Sequence, residues 1–148
     1  MSKIIETHAH IYDEQFETDR DEMLNRAFEA GVEQIWMPNC NHETIEGMLS
    51  LEAQYPEKCL SMMGLHPCYV GEDFEKELEI IEKWLHERPF IMIGEIGLDF
   101  YWDLTFVTQQ EKVFLHQLSL AKNTIYRFVF IPEILKIIRS MPFEGAAI

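Results

Sequence analysis

Three short segments carry the side chains able to do chemistry. The first is His8-Ala9-His10. On an extended chain, side chains two apart point to the same side, with backbone positions roughly 6.6 Å apart. Two imidazole nitrogens so placed reach one divalent ion at ~2.1 Å each. His-x-His also describes two capping or surface histidines; its place directly behind an apolar strand favours the ligand reading. The second segment is Ile93-Gly94-Glu95-Ile96-Gly97-Leu98-Asp99. Glu95 lies between glycines that let the backbone turn without steric cost. A carboxylate there can bridge two ions about 3.5–4 Å apart; a turn hydrogen bond is the plainer alternative. Asp99 either caps the loop or binds a basic neighbour. The third segment is Gly64-Leu65-His66-Pro67. Pro67 biases His66 toward an extended backbone, which aims the ring outward. His66 then contacts phosphate or substrate, orients a ligand, or is a turn histidine.

Other candidates read as structural. His42, His86 and His116 fall in predicted helices. Phe100-Tyr101-Trp102 could line a pocket, but aromatic runs more often fill a core or a lid. Cys40, Cys59 and Cys68 are an odd count without a Cys-x-x-Cys pair. That argues against a disulfide framework and a zinc-thiolate site and favours reduced, mostly buried thiols.

The positioning elements follow from apolar periodicity. Lys3 to His8 reads as a strand and Asp19 to Ala30 as a helix stopped by Gly31. Val32 to Met37 is a second strand ended by Pro38, His42 to Gln54 a helix, and Lys58 to Met63 a third strand. Glu72 to His86 places Phe74, Leu78, Ile81, Trp84 and Leu85 on one helical face. Phe90 to Ile93 is an apolar fourth strand, which Glu95 follows. Thr108 caps a helix to Lys122, with Val113, Leu115, Leu118 and Leu120 turned inward. Such alternation implies an α/β fold with parallel strands and right-handed crossovers. Polar residues at successive strand ends favour a TIM-type (β/α)8 barrel, where those ends converge on one face.

Composition bounds the function. The chain has 148 residues, 47% hydrophobic and 26% charged, an ordinary globular mixture. Without an apolar run of ~20 residues or a signal-like leader, the expectation is a cytoplasmic protein with no membrane partner. Net charge is -14, from 26 acidic and 12 basic residues. That disfavours a nucleic-acid scaffold but not a nuclease, because bound cations can receive the phosphate.

Glu6-Thr7-His8-Ala9-His10, Gly64-Leu65-His66-Pro67 and Gly94-Glu95-Ile96-Gly97-Leu98-Asp99 occur in the order and spacing of the TatD-like metal-dependent hydrolases, which this chain resembles from about Met1 to Lys122. Gln109-Gln110 through Gln117-Leu118 is similar to that family too, whereas Glu6 stands where the family more often has Asp. The resemblance implies an amidohydrolase-type barrel that hydrolyses phosphodiester bonds, typically trimming DNA from its 3′ end. It implies two divalent metal ions (zinc, manganese or magnesium), with His8, His10 and Glu95 as ligands and His66 as a substrate contact. The family's general base is a late Asp absent from this chain, so no catalytic residue is assigned.

After Lys122 the pattern breaks. The family continues with a strand of the type Pro-Ile-Val-Ile-His, whose histidine is a further ligand, yet no histidine follows His116 here. A reading frame shifted by one nucleotide from Asn123 is compatible with Lys-Tyr-Asn-Leu-Pro-Ile-Cys-Ile-His. The expectation is therefore an incomplete barrel of four to five βα units. Residues 1–122 are its N-terminal half. Residues 123–148 are an out-of-frame tail, with a makeshift strand from Ile125 to Ile131 and a short helix from Pro132 to Ser140. Such a chain holds at most a partial metal site, is inactive or weakly active, and exposes strand edges that invite self-association. The alternatives are a related metal hydrolase of carbon–nitrogen or ester bonds, and a non-enzymatic fragment that binds a partner through those edges.

Overall fold

The computed structural model describes residues 4–123 and 128–130. Parallel strands alternate with α-helices in the order β1 (Ile4–Glu6), α1 (Arg20–Glu29), β2 (Val32–Met37), α2 (Ile45–Gln54), β3 (Cys59–Ser61), α3 (Phe74–Glu87), β4 (Ile93–Ile96), α4 (Val107–Asn123) and β5 (Phe128–Phe130). Strands β1, β2 and β3 are neighbours in sequence order, as are β4 and β5. A parallel bridge from Met63 to Ile93 joins the two groups, with Met63 N donating to Met92 O and Gly94 N to Met63 O at 3.2 and 3.1 Å. Sequential parallel order with a helix at every crossover is half of a (β/α)8 barrel; a doubly wound sheet would reverse strand order at a switch point.

Burial explains the helices. Phe74, Leu78 and Ile81 of α3 are buried, with Trp84 and Leu85 packed beside them. Ala30 closes α1, and Gly31 turns the chain toward β2 at φ +102°, where a Cβ would be strained. The main core gathers Leu24, Met37, Met48, Leu51, Met63 and Leu65, and a smaller one gathers Ile93, Ile96, Leu98, Phe114 and Ala121. No helix among the described residues is long and apolar enough to cross a membrane.

The structure corrects several sequence expectations. The fourth strand is Ile93–Ile96 rather than Phe90 to Ile93, so Glu95 lies inside it, not after it. Apolar character marked where the chain is buried, whereas strand limits are set by pairing, here of Ile93 with Phe128 and Ile96 with Phe130. β1 and β3 are shorter than expected for the same reason. Thr108 lies within α4 instead of capping it, and Leu115 is exposed. The inward seam of α4 includes Gln110, Val113, Phe114, Gln117 and Ala121, two of them glutamines that an apolar pattern discards. Of the cysteines only Cys59 is buried; Cys40 is half-buried and Cys68 exposed. The expected Pro132–Ser140 helix lies outside the described residues.

Candidate metal centre

The ladder between β1 and β2 continues past the strand, since Ala9 N donates to Trp36 O at 3.1 Å. His8 and His10 flank that anchored residue, so strand alternation sends both rings to the same side, 5.2 Å apart between centroids. The Glu6 carboxylate accepts the His8 N–H at 2.9 Å. The Arg20 guanidinium donates to the carbonyls of Ile11, Tyr12 and Asp13, holding the loop that follows.

Glu95 arrives from β4 and is buried. Its N–H donates to Asn39 O at 3.2 Å, and Asn39 N donates to Gly94 O at 3.1 Å, so Asn39, just beyond β2, pairs with both polar groups of the Gly94–Glu95 peptide. Gly64 packs against that peptide. A Cβ on Gly64 would lie 2.9 Å from the Gly94 carbonyl carbon and 3.1 Å from Glu95 O, so only glycine permits this approach.

These elements bring the three expected ligands together. His8 Nε2 lies 3.1 Å and His10 Nε2 3.5 Å from Glu95 Oε2. One ligand atom from each of His8, His10 and Glu95 lies within 4.8 Å of the others. His66 joins them, with Nε2 3.8 Å from the same oxygen.

Hydrogen bonds fix what each ring offers. Tyr12 OH donates its only proton to Pro38 O at 2.6 Å, so it accepts from His10 Nδ1–H at 2.8 Å. A neutral His10 therefore presents a lone pair at Nε2, the form a metal ligand needs. His66 is the reverse case. Its Nδ1 accepts the Cys68 N–H at 3.1 Å, which leaves the proton on Nε2, facing Glu95. His66 Nε2–H thus faces the carboxylate as a hydrogen-bond donor.

Electrostatics couple these groups to one another. Burial alone would raise the Glu95 carboxyl, but hydrogen bonds from His10 and His8, with His66 nearby, hold it down at about 2. His10 is raised to about 9 by its contact with Cys40 and by Glu95, against the opposing effect of burial. Burial lowers His66, and Glu95 opposes that. Two imidazoles and a buried carboxylate are a donor set for a divalent cation. The residues fit a divalent ion.

Sequence reasoning missed the residues that hold this centre in place. Asn39 is buried, with its Nδ2 donating to Asn41 O and Gly64 O and its Oδ1 accepting from Thr44 Oγ1. It lies two residues beyond the end of β2, so a search for polar residues at strand ends could have found it. Tyr12 carried no such signal. Gln117 bonds both backbone groups of Leu65, and Gln110 Oε1 accepts the Asp99 N–H. Asp99 caps its loop by accepting from Tyr101 N at 2.8 Å. Tyr101 and Trp102 fill no core: they are 83% and 77% exposed, because the loop carrying them projects from the barrel rim. His42 pairs with Glu77 and His116 with Glu82, while His86 is exposed, all three away from the centre.

The family model described as TatD related DNase matches residues 5–131. The chain is 32% identical over 120 residues to a Bacillus subtilis (strain 168) protein described as the uncharacterized metal-dependent hydrolase YabD, covering 81% of this chain and 47% of that protein. It is 35% identical over 107 residues to the 3′-5′ ssDNA/RNA exonuclease TatD of Erwinia tasmaniensis, covering 72% and 41%. The crystal structure of YjjV, a TatD homologue from Escherichia coli K12, superposes with a TM-score of 0.77 at 30% identity, over 86% of this chain and 49% of that one. A TatD family hydrolase from Entamoeba histolytica shares the fold, with a TM-score of 0.70 at 18% identity over 93% and 54%. The chain spans about half the length of the curated relatives it matches.

Proposed function

The chain belongs to the TatD related DNase family, and we propose that it carries the N-terminal ligand set of a metal-dependent hydrolase acting on DNA phosphodiester bonds, with 3′-to-5′ exonuclease character. The observation that carries this reading is the convergence of His8 and His10 Nε2 on the buried Glu95 carboxylate, with the second His10 nitrogen committed to Tyr12. His8, His10 and Glu95 would hold the ion. When bound, a divalent ion supplies Lewis acidity, bringing the pKa of a coordinated water toward 7 and neutralising charge on a phosphoryl oxygen. His66 Nε2–H would donate to a substrate oxygen at the rim. No residue of this chain is assigned to proton abstraction.

The relatives' names support a nucleic-acid substrate, since TatD of Erwinia tasmaniensis is named for single-stranded DNA and RNA. The family's two-ion requirement exceeds three ligands, and no histidine follows His116. We accordingly read residues 1–122 as half a barrel, 123–148 as an out-of-frame tail, and the activity of this chain as feeble or absent. Self-association would run through the β1 edge, where Ile4 and Ile5 are about half exposed.

The test is a pair of measurements on this chain and on a frame-restored version. Calorimetric titration with Mn²⁺ should show binding that is lost in His8→Ala and Glu95→Ala. Release of nucleotides from 3′-labelled single-stranded DNA should appear in the frame-restored protein. Turnover of amide or carboxyl-ester substrates instead of DNA would overturn the substrate assignment, and Mn²⁺ binding indifferent to both substitutions would overturn the ligand set. The nucleotide sequence around codon 122 decides the frameshift.

A further inference from the structure

A cavity of about 280 Å³ opens beside the metal centre, between the turn after His66 and the loop after β4. Its walls are aromatic: Tyr69 on one side, Trp102 and Phe106 on the other. Its polar groups include Cys68, Asp99, Asp103 and Gln110, and no lysine or arginine lines it among the described residues.

The cavity is continuous with the site through two contacts. The Tyr69 ring packs edge-on against His66 at 5.8 Å between centroids. Cys68, whose N–H fixes the His66 tautomer, also donates its Sγ–H to Asp99 Oδ2 at 3.4 Å. Anything bonded to a group at His66 would reach this cavity next.

The lining chooses the ligand. Carboxylates without a cation repel phosphate and accept N–H donors. Aromatic walls favour a flat π-face over an aliphatic chain. The volume is at the lower limit of small-molecule sites, which suits one ring system rather than an extended ligand. Trp102 is 77% and Tyr69 48% exposed, large aromatic surfaces that the fold itself leaves uncovered.

We propose that this cavity is a nucleobase subsite, in which Trp102 and Tyr69 stack on one base of a strand whose phosphate lies at His66 and the metal centre. The role in a reaction rests on the nuclease reading above; base binding itself does not. Asp99 and Asp103 then meet the N–H edge of the base. Their side chains already accept from Tyr101 N and Thr105 N respectively, which holds the carboxylates in place and leaves further lone pairs open.

The experiment uses neutral deoxycytidine, without metal or phosphate, titrated into the ¹⁵N-labelled chain while the Trp102 indole N–H is followed by NMR. Saturable shifts of Trp102 and of the Tyr69 backbone amide are expected, with none from deoxyribose 5-phosphate. Trp102→Ala, at an exposed position that leaves the core intact, should weaken the response at Tyr69 about tenfold, within the range measured for single base–aromatic stacks. No shift with deoxycytidine, an equal shift with the sugar phosphate, or an unchanged affinity in Trp102→Ala would overturn the subsite. In a frame-restored protein, an abasic 3′-terminal residue should raise KM with kcat little changed. Hydrolysis without this base dependence would remove the subsite and keep the nuclease. Base binding without any hydrolysis would do the opposite.

Discussion

Replacing Gln117 with methionine removes a side chain that acts as a strand partner. Gln117 and Leu65 are both fully buried. Leu65 N donates to Gln117 Oε1 at 2.8 Å, and Gln117 Nε2 donates to Leu65 O at 3.1 Å. β3 ends at Ser61, so beyond it this amide supplies to Leu65 what a neighbouring strand would. Gln117→Met nearly conserves volume, and such swaps alone cost under ~1.5 kcal/mol. The larger loss is a buried N–H and a buried C=O left without partners, at about 1–3 kcal/mol each. A total near 4 kcal/mol follows, a large fraction of the roughly 5–15 kcal/mol that holds such a domain together. With a urea slope of ~2 kcal/mol/M, the unfolding midpoint should fall by about 2 M. Gln117→Glu makes the cause legible. Its carboxylate still accepts the Leu65 N–H but faces the Leu65 carbonyl with a second acceptor, so the folded state raises its pKa above ~4.3. The bond to the carbonyl is then recovered below that value and lost as pH rises through the folded pKa. A midpoint for Gln117→Met within ~0.3 M of the parent, or a Gln117→Glu variant indifferent to acid, would refute the reasoning.

Other perturbations address the centre directly. Gly64→Ala should displace the Gly94–Glu95 peptide, costing about 1–3 kcal/mol from overpacking and weakening Mn²⁺ binding; calorimetry on the folded variant checks this. Tyr12→Phe removes the acceptor that fixes His10, and Mn²⁺ affinity should fall about 10- to 100-fold with little loss of fold, read by titration beside circular dichroism. Ion binding must displace the proton that His10 retains up to about 9, so apparent Mn²⁺ affinity should rise about tenfold per pH unit from pH ~6 to 8; a flat profile contradicts that assignment. Without the ion, the raised His10 contributes stability that is complete below 6.5 and lost as pH rises through about 9. The depressed Glu95 contributes above 4.5 and loses its share as pH falls through about 2, as urea midpoints across pH should record.

The amino-acid order by itself determined the architecture and the family. Alternating apolar strands and amphipathic helices allow few parallel topologies, and polar residues at strand ends mark the face where they meet. His8, His10, His66 and Glu95, which the structure brings together, were legible as candidates because their side chains interrupt or follow buried runs. Their supports were not. Gln110 and Gln117 lie on the inward seam of α4, where periodicity looks for apolar groups, and their worth depends on backbone groups of Asp99 and Leu65 far away in sequence. The approach of Gly64 to Gly94, the grip of Asn39 and the tautomers of His10 and His66 likewise depend on distances between separate βα units. Sequence position does not encode such distances. Only packing the strands side by side set them, and with them which nitrogen faces the carboxylate.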